Sequence, residues 1–282
     1  MVYQNEQAKD RKGSIVFVHG ICHGAWCWEK YFVPYFSEHG YECYAVDLQG
    51  HGRDSRKRLK GASLSGYVEN VKDIVSRCSG KPFLVGHSMG GAVVQQYIGK
   101  YADTVSGAVL FASATAPRMP RVKTTLSLVN RNLRYAFYVA LGIKGKKGKR
   151  AKIVHDAAFF TGENEAGEKV QRIDDTTPYE SLLQKEPKRV FLWDLYRNYS
   201  KNYKVDVPVF VIGSSADAYF PEESLKKTAQ KYAEYEEPAY KCLNYLCHDM
   251  MLDPKWKEPA ELVRKFIENP VIFIRDHPCP EK

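Results

Sequence analysis

Short runs of β-branched and other apolar residues recur through the first 114 positions, at residues 14–18, 42–47, 83–85 and 107–111, each closed by glycine or charge. Such runs predict buried parallel strands. Between the second and third, Leu64, Tyr67, Val68, Val71, Ile74, Val75 and Cys78 fall at helical spacing and make one apolar stripe on an otherwise polar segment. That stripe predicts the crossover helix of a β-α-β unit. From about residue 115 to 205 only helix-like segments occur. The strand pattern then resumes at residues 207–212 and 239–243, and a last helix is predicted from Pro259 to Glu268. The outline is a mostly parallel α/β core, residues 1–114 and 206–282, flanked by helices and interrupted by an inserted helical cap, residues 115–205.

Composition adds that the chain buries a large core, with 44% hydrophobic and 13% aromatic residues in a length of 282. The net charge of +9 is concentrated in one place: residues 115–205 hold 19 Lys and Arg against 9 Asp and Glu. Six of these cations, Lys144, Lys146, Lys147, Lys149, Arg150 and Lys152, fall in one glycine-interleaved stretch. The seven cysteines are odd in number and lack C-x-x-C spacing, which fits reduced thiols. Residues 1–13 have no apolar signal core, and no stretch approaches eighteen apolar residues. The expectation is a soluble, cytoplasmic protein. There is no dinucleotide fingerprint, metal-ligand spacing or nucleic-acid motif, so no cofactor, metal or nucleic acid is expected.

The chemistry-bearing motif is Gly86-His87-Ser88-Met89-Gly90, a G-x-S-x-G preceded by strand-like Phe83-Leu84-Val85 and followed by helix-like Gly91-Ala92-Val93-Val94. A strand that turns sharply into a helix exposes the serine hydroxyl, and the helix N-terminus favours developing negative charge. Serine is a weak nucleophile until a base takes its proton, and the base needs an orienting acid. His248 follows the last predicted strand and Asp217 the one before it. Both therefore lie where α/β sheets place their sites, past strand C-termini. Asp249 reads as a loop hydrogen-bonding residue. A tetrahedral oxyanion needs two backbone donors. Met89, after the nucleophile, supplies one, and Ile21, after His19-Gly20, supplies the second.

With Ser88, Asp217 and His248 in that chain order, and with His19-Gly20 and Gly50-His51-Gly52 in register, the sequence resembles the α/β-hydrolase superfamily along nearly its whole length. The stretch from His19 to Trp28 is similar to plant methylesterases and hydroxynitrile lyases, whereas Gly50-His51-Gly52 with Ser55 is similar to bacterial esterases and lipases. Serine at position 88 excludes the relatives of this fold that use an aspartate nucleophile. The resemblance implies a serine hydrolase that cleaves a carboxylic ester or related acyl bond of a small molecule through an acyl-enzyme. Lactone opening, perhydrolysis and cyanohydrin cleavage use the same triad, and a slow-turnover ligand receptor retains it, so these alternatives stay open. His23, Phe159, Phe160, Trp193 and Tyr219 are the candidate substrate contacts. The basic cluster is a candidate site for an anionic carrier or a lipid headgroup.

Overall fold

The structure, a computed structural model, describes residues 2–3, 12–54, 61–114, 159–184, 186–187, 189–190, 194–196 and 202–281. Its central sheet is built from seven strands: β1 (Val2–Tyr3), β2 (Ser14–Val18), β3 (Glu42–Val46), β4 (Phe83–His87), β5 (Gly107–Phe111), β8 (Val209–Ser214) and β9 (Ala239–Leu243). Across the sheet they lie in the order β1-β3-β2-β4-β5-β8-β9. Only β1, at the edge, runs antiparallel to its neighbour; the other six are parallel.

Alternation along the strands divides the core in two, because successive side chains point to opposite faces. Val16, Val18, Leu84, Leu110 and Val211 join one buried cluster, while Ile15, Phe17, Val85, Phe111 and Ile212 join the other. The first face is covered by α3 (Leu64–Val75), α4 (Met89–Tyr101) and α6 (Glu222–Tyr232), through residues such as Tyr67, Val71, Tyr97 and Leu225. The second face is covered by α1 (Trp26–Glu29), α2 (Phe32–Glu38), α7 (Lys257–Glu268) and α8 (Pro270–Asp276), with Trp28, Phe32, Phe36 and Phe266 buried. Helices on both faces are what six parallel strands, apolar on both sides, require.

After β5 the chain leaves the sheet and rejoins it at β8, directly beside β5. Residues 115–158 lie outside the described set. The next segment departs from the all-helical expectation: Thr161–Glu163 (β6) and Lys169–Gln171 (β7) pair as an antiparallel hairpin. Its turn is made by Asn164, whose side chain accepts the N–H groups of Ala166 and Glu168, and by Gly167 at φ +76°. An Asx-type turn closed by glycine is a hairpin signal that overrides helical spacing over so short a span. A single helical turn, α5 (Thr177–Glu180), comes after the hairpin. Among the described residues no helix is long and apolar enough to cross a membrane. All seven cysteines are unpaired thiols.

Candidate active site

Ser88 sits between β4 and α4 at φ 52°, ψ −116°, a conformation disfavoured for any residue with a side chain. The surroundings hold it there. Its N–H donates to the Phe111 carbonyl at 3.1 Å, and its carbonyl accepts the N–H groups of Gly91 and Ala114, both at 3.0 Å. The turn can be this tight only because Gly86 and Gly90 lack side chains. A Cβ on Gly90 would lie 2.4 Å from the Val18 carbonyl oxygen, and one on Gly86 would lie 2.5 Å from that of Gly90. Met89 opens α4, and a first-turn N–H has no intrahelical acceptor.

Two further strand ends bring up the partners. Asp217, buried past β8, accepts the Tyr219 and Phe220 N–H groups on Oδ1 at 2.7 and 3.0 Å, and its Oδ2 lies 2.8 Å from His248 Nδ1. With Nδ1 donating to that carboxylate, Nε2 carries the lone pair. Nε2 is buried and has no hydrogen-bond partner among the described residues. The loop bearing His248 is fixed by Asp253, which accepts the Cys247 N–H at 3.1 Å and a bidentate Arg172 guanidinium, both bonds 3.1 Å. His87, next to the serine, reaches the His248 carbonyl with Nε2 at 3.2 Å, and the two rings are 4.6 Å apart. Burial, then the proximity of His248, pushes the His87 pKa well down, so its ring is neutral.

Several polar groups of loop 19–23 find partners within the protein. The Gly20 carbonyl accepts from His19 Nδ1 at 2.8 Å, while His19 Nε2 accepts the Leu48 N–H at 3.1 Å. His19 is thus the neutral Nδ1–H tautomer, and burial followed by the proximity of His51 lowers its pKa. The Ile21 carbonyl accepts from His23 Nδ1 at 2.6 Å, and the Cys22 N–H donates to Glu186 at 3.1 Å. The Cys22 carbonyl accepts the Gln184 N–H at 2.8 Å. The Ile21 N–H has no hydrogen-bond partner among the described residues. It belongs to the same peptide plane as the Gly20 carbonyl, so the His19 bond fixes its direction. A Cβ built on Gly20 would lie 3.0 Å from the Ser88 Cβ, which places this peptide against the elbow.

His23 uses both ring nitrogens within the protein: Nδ1 on the Ile21 carbonyl and Nε2 on Asp249 Oδ2 at 2.9 Å. Neither side chain of this pair is exposed. Burial would lower the His23 pKa, but the charge and hydrogen bond of Asp249, with the Ile21 carbonyl, outweigh it and raise the pKa. Burial would likewise raise that of Asp249, but the His23 charge and bond, then His87 and His248, bring it down. His23 therefore holds the loop rather than presenting a polar atom to a substrate, a correction to its candidate role. Phe159 stacks on Tyr219 at 5.3 Å and on His248 at 6.0 Å, and Tyr219 lies 4.7 Å from His248. Phe160 instead faces Tyr179 at 5.9 Å. Trp193 and the cluster from Lys144 to Lys152 lie outside the described residues.

His87, His248 and Asp249 bring ligand-type atoms within 4.8 Å of one another. Asp249 Oδ2 is bonded to His23 and His87 Nε2 to the His248 carbonyl, whereas His87 Nδ1, His248 Nε2 and Asp249 Oδ1 are buried with no hydrogen-bond partner among the described residues. Sequence reading missed the His23–Asp249 pair and Glu186. The one local signal was the second histidine of His19-Gly20-Ile21-Cys22-His23, a ring that needs an acceptor once the loop folds inward.

A strained serine at a strand-to-helix elbow, followed in chain order by an aspartate and a histidine past the ends of the last two strands of the sheet, defines the α/β-hydrolase class. The chain belongs to the serine aminopeptidase, S33, family of α/β hydrolases, whose model matches residues 9–255. It is 30% identical to methylesterase 8 of Arabidopsis thaliana over 222 residues, covering 75% of each chain. It is 34% identical to the pyrethroid hydrolase of Sphingobium wenxiniae over 104 residues, 36% of this chain and 37% of that enzyme. Across several such curated relatives the similarity spans only 26% to 41% of their length. The crystal structure of the Paleococcus ferrophilus monoacylglycerol lipase superposes with a TM-score of 0.65 at 20% identity, covering 95% of this chain and 98% of that one.

Proposed function

We propose that this protein hydrolyses carboxylic esters of small molecules through an acyl-enzyme on Ser88. The observation that carries the reading is the buried His248 ring, with Nδ1 bound to Asp217 and Nε2 left open, in contact with His87 of the serine elbow. His248 Nε2 takes the hydroxyl proton as Ser88 attacks the ester carbonyl. Asp217 keeps the imidazole in the correct tautomer and stabilises the imidazolium. The N–H groups of Ile21 and Met89 receive the oxyanion. His248 then protonates the leaving alkoxide, and water repeats the sequence to release the acid. Phe159 and Tyr219, ranged against His248, line the acyl side. The similarity to a methylesterase and a pyrethroid hydrolase supports an ester rather than an amide as substrate.

Residues 115–205 form, in this reading, a cap over that site, and its excess cations capture anionic acyl substrates; the unpaired thiols fit a cytoplasmic enzyme. The test is turnover of p-nitrophenyl esters of increasing chain length. Hydrolysis of at least one, with saturation kinetics, is expected; no turnover of any would remove the reading. Replacing Lys144, Lys146, Lys147, Lys149 and Arg150 with glutamine should lower kcat/KM for anionic esters at low salt and spare neutral ones, since such steering is screened. An equal response would leave the cluster as surface charge.

A further inference from the structure

The loop that offers the Ile21 N–H does not hold its shape alone. Cys22, the next residue, lies at φ +64°, in the left-handed region disfavoured for residues with a Cβ. Both of its backbone polar groups are satisfied by one distant segment. Its carbonyl takes the Gln184 N–H at 2.8 Å, and its N–H donates to Glu186 Oε2 at 3.1 Å. The same carboxylate accepts His51 Nε2 at 3.0 Å and, through Oε1, the Tyr67 hydroxyl at 2.9 Å. Its side chain is 5% exposed and that of His51 is not exposed at all. Gln184 adds a bond from the Gly52 N–H to its side-chain oxygen. One buried carboxylate thus ties together the oxyanion loop, the loop after β3 and helix α3, none of which is near it in sequence.

We infer that Glu186 is a positioning residue for the oxyanion hole: by accepting the Cys22 N–H it holds the left-handed turn that leaves the Ile21 N–H open beside Ser88. This rests on the ester-hydrolase reading above. The Cys22 N–H shares its peptide with the Ile21 carbonyl, which His23 holds from the other side. Glu186 and His23 therefore clamp one peptide from its two ends, and the donor lies one peptide upstream. Without Glu186 the Cys22 N–H loses its acceptor, and the loop relaxes toward an ordinary conformation that redirects the Ile21 N–H. Substrate binding, which depends on other contacts, is left largely intact. Misplacing a donor matters most when the oxyanion forms.

The experiment compares wild type, Glu186→Ala and Glu186→Gln as purified full-length chains, using p-nitrophenyl butyrate as substrate and an alkyl trifluoromethyl ketone as inhibitor. The ketone adds to the serine and generates the oxyanion, so its Ki reports the hole directly. Glu186→Ala is expected to lower kcat roughly 10- to 100-fold, raise Ki by a similar factor and change KM less than about threefold. Glu186→Gln keeps a neutral acceptor for Cys22 and is expected to lose only about 3- to 10-fold in both. A fall in kcat with unchanged Ki, a change confined to KM, or wild-type values in Glu186→Ala would overturn the inference. Should Glu186→Ala fail to fold, Glu186→Gln decides: parallel losses support the inference, and wild-type kcat and Ki overturn it. A wild-type protein that neither reacts with a fluorophosphonate nor turns over esters overturns the ester-hydrolase reading, and the inference falls with it. Normal wild-type turnover with an unaffected Glu186→Ala overturns the inference alone.

Discussion

Replacing Asp249 with asparagine removes the carboxylate bonded to a fully enclosed histidine. His23 is boxed in by Trp26, Phe159 and His87, at ring distances of 5.1, 4.8 and 5.9 Å, and donates from both nitrogens. A ring that donates twice is an imidazolium, so the pair is a buried charge pair, and removing one partner of such a pair costs about 3–5 kcal/mol. Against a total stability on the order of 5–15 kcal/mol, that is a large fraction. The pH dependence comes from the two shifts. The raised pKa of His23 contributes stability that is complete below about pH 6.5 and is lost as pH rises through its folded-state value. The lowered pKa of Asp249 contributes stability that is present above about pH 3.9 and is lost as pH falls through its folded-state value. Urea unfolding of wild type and Asp249→Asn at intervals from pH 5 to 9 is therefore expected to show the largest difference near the acid end and a shrinking one toward the alkaline end. Asp249 also faces His87 and His248, and Glu186 acts on His23, so the difference reports the loss of the Asp249 charge as a whole, of which His23 is the largest partner. A difference below about 1 kcal/mol, the scale of an exposed ion pair, or one constant across the range, would refute the assignment of His23 as a buried imidazolium.

Two further outcomes are expected at the site. Asp217→Asn keeps an oxygen for the Tyr219 and Phe220 N–H groups but no longer enforces the Nδ1–H tautomer of His248, so kcat should fall about 10⁴-fold with KM little changed; steady-state kinetics on a p-nitrophenyl ester checks it. Arg172→Ala strips the buried Asp253 of its bidentate partner and loosens the Cys247 N–H beside His248, costing about 1.5–3 kcal/mol in urea unfolding, and an unchanged midpoint would count against Asp253 as the anchor of that loop.

The sheet was readable because its signals are local. The strand runs at residues 14–18, 107–111 and 239–243 coincide with β2, β5 and β9, and the stripe beginning at Leu64 coincides with α3. Ser88, Asp217 and His248 could be singled out because each follows a strand and their chain order is restrictive. The supporting bonds could not be read this way. His23 and Asp249 are 226 positions apart, and Cys22 and Glu186 are 164 apart. No periodicity relates such residues; only the closed fold brings them together. The hairpin β6–β7 was hidden for a different reason. Its strands are three residues each and mostly polar, too short for an alternating pattern to stand out from helical spacing.

The central claim is that Ser88 is the nucleophile of an ester hydrolase, and intact-mass analysis after reaction with a fluorophosphonate tests it most directly. One adduct per chain, mapped to the peptide that holds Ser88 and absent from Ser88→Ala, together with loss of ester turnover by several orders of magnitude in that variant, is the expected result. An adduct on another residue, or ester turnover retained in Ser88→Ala, would contradict the account.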